Sequence, residues 1–597
     1  MTEIVSFNLK CLFYQICISI FGKGSSKKQS DLILDITGSF GRYQLWLFIL
    51  VCLTKIPVAF HQLAIIFLAP PTQFVCKSTG ILNGCPCDDP IFDTRIFTRT
   101  IITEFKLICH KKWLTSFSQL AFQAGTLVGS IIFGELADKF GRRIPLIGAC
   151  ILQFVCALTA AYVHTFELFT IFRFGIGISV GGTMVISFVI LMEFIGPGHR
   201  EIFSALYQAA FNLSSMALPL VAYYNRDYKR YQMVITLTTL LCLIYFYSLP
   251  ETPRWLIAKG KTERAIKILQ HVAKVNKRPV ENVRANVEAY QHAASKSKVN
   301  KGSTADLFKT PNLRTRILAM AFNWLTCSYC YYGVAQYVGQ LSGNIFLNVA
   351  GSSGSVLCGT LLSIPMMKMM GRKTILLICH FICSSCLIIL AFSEGVVSLV
   401  CATVGVVTSF IVFVVVYLVC CELFPTVVRN CAVGLSSMSA RIGSMVAPFV
   451  LDLKDIHPSL TPLTFALIPF LAFFITLLLP ETKGCELTNT LEEGEKAFTK
   501  PATKLGLCTP RFINGRRRAF WKRASPAVFL LQCSLLSFET RGTSACVSIT
   551  RAFASLPHPY TRVCIATHAC QVCKGLQAAS NLRAYRDCSD TDAIRTQ

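Results

Sequence analysis

The residues of this chain best suited to chemistry are charges that recur in sets. Gly134-Glu135-Leu136-Ala137-Asp138-Lys139-Phe140-Gly141-Arg142-Arg143 sets Asp138 among three cations, between two apolar runs each long enough to cross a bilayer. Gly141-Arg142-Arg143 returns as Gly371-Arg372-Lys373, 230 residues later. Glu193 and Arg200 return as Glu422 and Arg429 with the same internal spacing, and Pro250-Glu251-Thr252 returns as Pro480-Glu481-Thr482. Landmarks repeated in one order imply two homologous halves. Carboxylates and guanidiniums at helix ends can pair across two halves in one state and separate in another. Gly134, Asp138, Gly141, Arg142, Arg143, Glu193, Arg200, Glu251, Arg254, Glu422 and Arg429 are therefore the expected conformational latch. The alternative is that they are solvated loop charges; the repeated spacing favours the latch.

A second set lies inside the apolar runs, where charge is costly and usually functional. Lys55 sits near the middle of the first run with His61 just beyond it, and Arg441 sits in Ser439-Ala440-Arg441-Ile442-Gly443. A guanidinium can hold a carboxylate through two parallel hydrogen bonds. The bland alternatives are that Lys55 snorkels and that Arg441 neutralises an internal acid or helix end. Trp324 and Tyr331, seven residues apart, share one helical face, and Tyr329 and Tyr332 lie beside them. Such a wall suits bulky amphiphilic solutes, although aromatic stripes also serve packing.

Long membrane helices must position these groups. Hydrophobic residues make up 53% of the 597 and charged residues 15%, with a mean hydropathy of +0.53. That balance marks a polytopic membrane protein. The formal charge of +27 fits cation-rich cytoplasmic loops better than a nucleic-acid partner, which is not expected. Spans are predicted at 43–67, 113–134, 144–163, 168–192, 203–222, 231–249, 315–334, 344–366, 374–393, 396–420, 431–451 and 461–480. The fold class is thus all-α, with twelve transmembrane helices in two six-helix repeats. The expected divisions are a cytoplasmic segment 1–42, a first half 43–249, a cytoplasmic connector 250–314, a second half 315–480 and a cytoplasmic tail 481–597. Within the connector, Glu263 to Val275 has helical apolar spacing.

Cations in alternate loops place both ends of this core in the cytoplasm, with the basic turn Asn225 to Arg230 as the exception. The polar loop 70–112 then faces outward. Its Cys76, Cys85, Cys87 and Cys109 suit one or two disulfides of unreadable connectivity. It holds no Asn-x-Ser/Thr acceptor. No metal site is expected, since Cys85-Pro86-Cys87 is too tight for structural zinc. No Walker loop or hydrolase motif appears in the core, so neither ATP hydrolysis nor any other enzyme activity is expected, and no cofactor. Residues 1–30 read as a cytosolic tail rather than a signal peptide. Beyond residue 500 the composition turns to Arg, Ser and Cys. The segment reads as disordered or as sequence from a misassigned exon, with Arg516-Arg517-Arg518 able to touch anionic lipid and Cys570/Cys573 a chance pair.

Gly134 to Arg143 resembles the loop motif of the major facilitator superfamily. Pro250-Glu251-Thr252-Pro253-Arg254-Trp255-Leu256 and Glu422-Leu423-Phe424-Pro425-Thr426-Val427-Val428-Arg429-Asn430 resemble solute carrier family 22, the organic cation, anion and zwitterion transporters. Gly38-Ser39-Phe40-Gly41-Arg42-Tyr43-Gln44 and Tyr331-Tyr332-Gly333 extend the likeness, which spans residues 31–487. The resemblance implies a plasma-membrane carrier of small organic ions working by alternating access. It puts Trp324 and Tyr331 on the cavity wall, and Tyr417 matches a family tyrosine. The position matching Arg441 is often Asp in cation carriers and Arg in anion and carnitine-type members, so organic anions or zwitterions are favoured. Arg441, Trp324, Tyr331, Tyr417, Lys55 and His61 are the expected substrate contacts. Two departures stand out: Lys368 occupies the place of an acid that would mirror Asp138, and loop 70–112 is shorter than the family's large glycosylated one. The competing reading is a transport-inactive sensor or scaffold of the same fold.

Overall fold

Apolar runs of about twenty residues leave the backbone one way to satisfy its polar groups in lipid, and the chain takes it. The computed structural model describes residues 36, 38, 40–78, 80–296, 303–425, 427–484, 488 and 490–497. The expectations for residues 1–30 and for the segment beyond 500 lie outside the described residues, as do Ser39 and Thr426 of the motifs. Six helices build the first half: α1 (Arg42–Leu63), α2 (Trp113–Phe140), α3 (Arg143–Tyr162), α4 (Phe166–Phe194), α5 (Pro197–Tyr224) and α6 (Tyr228–Ser248). Six more build the second: α7 (Pro311–Val338), α8 (Ile345–Met369), α9 (Arg372–Leu390), α10 (Gly395–Leu423), α11 (Arg429–Leu451) and α12 (Leu460–Leu477). Ten of the twelve are apolar enough to cross a membrane by composition. The other two, α7 and α11, have 28 and 23 residues, and Arg314, Arg316 and Asn323, or Arg429, Asn430 and Arg441, dilute their apolarity.

Small residues let the helices approach. A Cβ on Gly125 or Gly129 of α2 would stand 2.2 or 2.0 Å from a carbonyl oxygen of α4, and one on Gly177 or Gly181 of α4 would stand 2.1 or 2.2 Å from a carbonyl of α2. This paired Gly-x-x-x-Gly seam makes α2–α4 the most extensive helix contact in the first half. Across the halves, α2 packs on α11 and α5 on α8. Asn212 of α5 donates to Thr360 of α8 at 2.8 Å.

The connector carries Pro253–Ala258, Thr262–Val275, Val283–Lys296 and Asp306–Lys309 as short helices. Thr262–Val275 buries Ala265, Ile266, Leu269 and Val272, the apolar face its spacing predicts. At the other end of the bundle, loop 70–112 forms a two-stranded antiparallel sheet, β1 (Phe74–Cys76) with β2 (Pro90–Phe92). The cysteines pair Cys76–Cys87 and Cys85–Cys109, resolving a connectivity the spacing left open. This loop also accounts for the basic turn that broke the charge pattern. Arg226 accepts from the Thr98 amide and Arg99 from the Tyr228 amide through their carbonyls. Glu104 pairs with Lys229 at 3.0 Å and with Arg99 at 3.6 Å. Lys229 of the turn thus finds its acid on the loop packed against it.

Candidate functional site

A buried cluster of charged and aromatic side chains begins where α1 is interrupted. Helix Arg42–Cys52 ends at Leu53, the Thr54 hydroxyl donates back to the Val51 carbonyl at 2.7 Å, and Lys55 opens the next segment. Lys55 is 1% exposed, and its Nζ lies 3.8 Å from the Tyr207 ring centroid on α5 and 5.7 Å from that of Phe211. The aromatic faces supply part of what water would otherwise give the ammonium. Arg441, 8% exposed, faces the same space from α11, with its Nη2 3.9 Å from Met184 Sδ on α4. The two cations, from opposite halves, lie within electrostatic reach of each other.

Aromatic side chains close the walls. Trp324 packs its ring 4.2 Å from Tyr417 and 6.2 Å from Phe413, and Tyr331 lies 5.0 Å from Phe410. The seven-residue spacing therefore turns Trp324 and Tyr331 alike onto α10. Tyr417 is within electrostatic reach of Arg441 and 6.0 Å from Phe188 of α4, which in turn meets Tyr207 at 5.7 Å. Tyr332 lies within electrostatic reach of Arg441. Trp324 Nε1 is buried with no hydrogen-bond partner among the described residues, a donor left for a solute or water. His61 is fully buried and feels the charge of Arg173 on α4.

The latch residues form two matching constructions at the connector end. In the first half, Glu251 accepts from the amides of Arg142 and Arg143 at 2.8 and 3.2 Å, capping α3. Its carboxylate occupies the space a Cβ on Gly141 would need. Arg142 donates to the Ala137 carbonyl at 2.7 Å and pairs with Glu193 at 3.0 Å. In the second half, Glu481 accepts from the Arg372 amide at 2.7 Å, and Arg372 pairs with Glu422 at 3.4 Å. Arg200 and Arg429 each donate Nε to a carbonyl five residues earlier, both at 3.2 Å. Arg143 and Lys373 each bond a carbonyl at the end of the sixth helix of their half, Phe246 and Leu477. The pairs Arg142–Glu193 and Arg372–Glu422 join helices of one half, and Arg200 of the first half lies within electrostatic reach of Cys421 of the second. The repeat spacing reports two copies of one intramolecular clamp. Gly134 has open space around its Cα and makes no close approach. Arg254 lies in the connector helix beside Trp255, whose Nε1 donates to the Asp138 carbonyl at 3.0 Å.

The halves are tied at the opposite, disulfide-bearing end. Lys112 pairs with Asp455 at 2.5 Å, and Ser116 donates to Asp452 at 2.7 Å. Phe67 stacks on Phe346 at 5.8 Å. Tyr207, Phe188, Met184 and Gln62 escaped the sequence reading because uncharged residues in a span carry no signal that separates cavity from packing. Arg173 did carry one: it is an intramembrane cation like Lys55 and Arg441, and the same cost of burial applied to it.

The sugar (and other) transporter family profile matches residues 90–493. The chain is 29% identical over 516 residues to the organic cation transporter-like protein of Drosophila melanogaster, covering 77% of this chain and 91% of that protein. It is 32% identical over 396 residues to solute carrier family 22 member 13 of Homo sapiens, covering 66% of this chain and 71% of that one. In fold it is similar to the inward-open xylose transporter XylE from E. coli, with TM-score 0.57 and 18% identity over 76% of this chain and 99% of that chain. Two pseudo-repeated six-helix halves, a clamp built twice and these similarities converge: the chain belongs to solute carrier family 22 of the major facilitator superfamily, a multi-pass membrane transporter of organic ions.

Proposed function

We propose that this transporter carries organic anions or zwitterions of the carnitine type across the plasma membrane by alternating access, with both ends of its core in the cytoplasm. One observation carries the choice of charge. Lys55 and Arg441 converge on one aromatic cavity from opposite halves, while every Asp and Glu of the twelve helices lies near a helix end. A solute carboxylate between these two cations would neutralise both and draw the halves together, which couples binding to the rocking motion. Trp324, Tyr417 and Tyr332 would cover the apolar or quaternary part of the solute. Organic cations, after which several relatives are named, would meet two like charges here.

Uptake in oocytes tests this directly, with labelled carnitine, p-aminohippurate and tetraethylammonium supplied separately. Carnitine or p-aminohippurate should accumulate, and Arg441→Asp should cut that uptake at least about tenfold, in line with loss of a charge-assisted carboxylate contact. Accumulation of tetraethylammonium alone, or an unchanged profile in Arg441→Asp, would refute the reading. No uptake of any of the three by a surface-expressed chain would favour the scaffold alternative.

A further inference from the structure

A third intramembrane cation stands apart from this cavity. Arg173 of α4 is 0% exposed. Its Nη2 donates to Gln119 Oε1 of α2 at 2.7 Å, and its guanidinium carbon lies 4.8 Å from the Phe122 ring centroid. Among the described residues its Nε and Nη1 have no hydrogen-bond partner, and none of the ion pairs includes it. A buried guanidinium without a counter-charge is among the least favourable arrangements a protein can hold.

The polar groups around it carry no formal negative charge. Gln119 spends its oxygen on Arg173 and leaves its amide nitrogen unpaired. Among the described residues the Tyr231 hydroxyl of α6 has no hydrogen-bond partner, and neither has either ring nitrogen of His61 on α1. All three residues are buried, and His61 and Tyr231 lie within electrostatic reach of the guanidinium. Water would satisfy these donors but leave the positive charge uncompensated. The feature that meets both needs is a small acceptor carrying negative charge. Phe67, 6.1 Å from Tyr231 and stacked on Phe346, covers this region from the disulfide-bearing end.

We propose that the first half holds a compact monovalent anion of the chloride class between α1, α2, α4 and α6, with Arg173 as its counter-charge and Gln119, Tyr231 and His61 as further donors. The site is distinct from the Lys55–Arg441 cavity and does not depend on the substrate assigned to it. A carboxylate on an organic solute offers the same chemistry; the burial of all four side chains favours the free ion.

The test uses the purified full chain in detergent at constant ionic strength, melted in sodium chloride and in sodium gluconate. An ion that binds only the folded state stabilises it by mass action, so chloride should raise Tm by about 3–5 °C with saturating dependence. Arg173→Gln should abolish that difference, Tyr231→Phe should raise the half-saturating chloride concentration at least threefold, and Arg441→Gln should leave it unchanged. If Arg173→Gln does not fold, Tyr231→Phe and Gln119→Leu decide the matter. Equal melting in both salts overturns the proposal in favour of water alone. Chloride dependence lost in Arg441→Gln but kept in Arg173→Gln places the ion in the cavity and overturns it too. Benzoate reproducing the shift through Arg173 in chloride-free buffer overturns the free-ion assignment.

Discussion

The two clamps are built from the same parts and differ in how tightly each is closed. In both, a glutamate from the segment after the sixth helix caps the third helix of its half, and an arginine bridges that cap to a glutamate on the fourth. The first copy adds Asp138, 3.1 Å from Arg142 and 80% exposed, and the Trp255 bond to the Asp138 carbonyl. The second copy has Lys368 at that place, and its carbonyl accepts from Lys483 Nζ at 2.7 Å. Its arginine–glutamate pair is longer, 3.4 Å against 3.0 Å. Backbone geometry differs as well: Gly141 has φ +99°, whereas Gly371 has φ −68°. Duplication supplied one clamp twice, and the first copy kept the more demanding geometry.

The largest contrast should come from the glycines. Gly141→Ala forces a side chain into a backbone region open almost only to glycine, and drives its Cβ into Glu251. Gly371→Ala meets Glu481 but carries no comparable backbone strain. The first should lose about 1–3 kcal/mol more stability than the second, read as a lower Tm of the purified protein. Equal Tm losses would show that both clamps tolerate a Cβ alike.

Next come the bridging acids. Glu193→Gln strips the charge from the shorter, partly buried pair, and Glu422→Gln does the same to the longer one. Initial uptake rates should fall about tenfold and about threefold respectively, since the two pairs are similarly buried and the shorter one has more interaction to lose. A reversed order would make the second half the controlling one.

The exposed positions should matter least among the clamp residues. Asp138→Asn should slow uptake about two- to threefold, in keeping with the small worth of exposed pairs, and Lys368→Ala should leave it unchanged. Indistinguishable effects would remove Asp138 from conformational control.

The opposite end carries its own titratable contacts between the halves, Lys112 with Asp455 and Ser116 with Asp452. Burial pushes the Asp452 carboxyl up from its ordinary range, more than its hydrogen bond from Ser116 brings it down. Lys112, Lys454 and Asp455 stand around it. If the carboxyl returns to its ordinary value when this end opens, the closed arrangement binds the proton more tightly. Acidifying the outer medium should then favour the closed arrangement, and raising the pH should release that bias. Uptake should slow modestly as external pH falls towards the carboxylate range, and Asp452→Asn should flatten the profile. The same profile in wild type and Asp452→Asn would assign the pH effect elsewhere.

Much of this was legible in the order of residues. Helices followed from apolar runs, because a backbone in lipid must bond to itself, and the halves followed from charges repeated at one offset. Family membership followed from motifs such as Pro250 to Leu256. Lys55 and Arg441 announced themselves as charges where charge is costly, and Arg173 would have done so under the same rule. Uncharged Gln62, Tyr207 and Phe188 gave no such signal.

The sequence by itself determined which groups must be buried, capped or paired, because desolvation and backbone hydrogen bonding act on any chain that carries them. Only the tertiary structure decided with whom. Glu193 meets Arg142 of its own half, Tyr331 packs on Phe410 while its neighbour Tyr332 lies within electrostatic reach of Arg441, and Cys76 joins Cys87 while Cys85 joins Cys109. Partner choice depends on helix rotation and contact within a few ångströms, which are set by packing across the bundle. Local spacing specifies a helical face, and a neighbouring helix specifies what that face will touch.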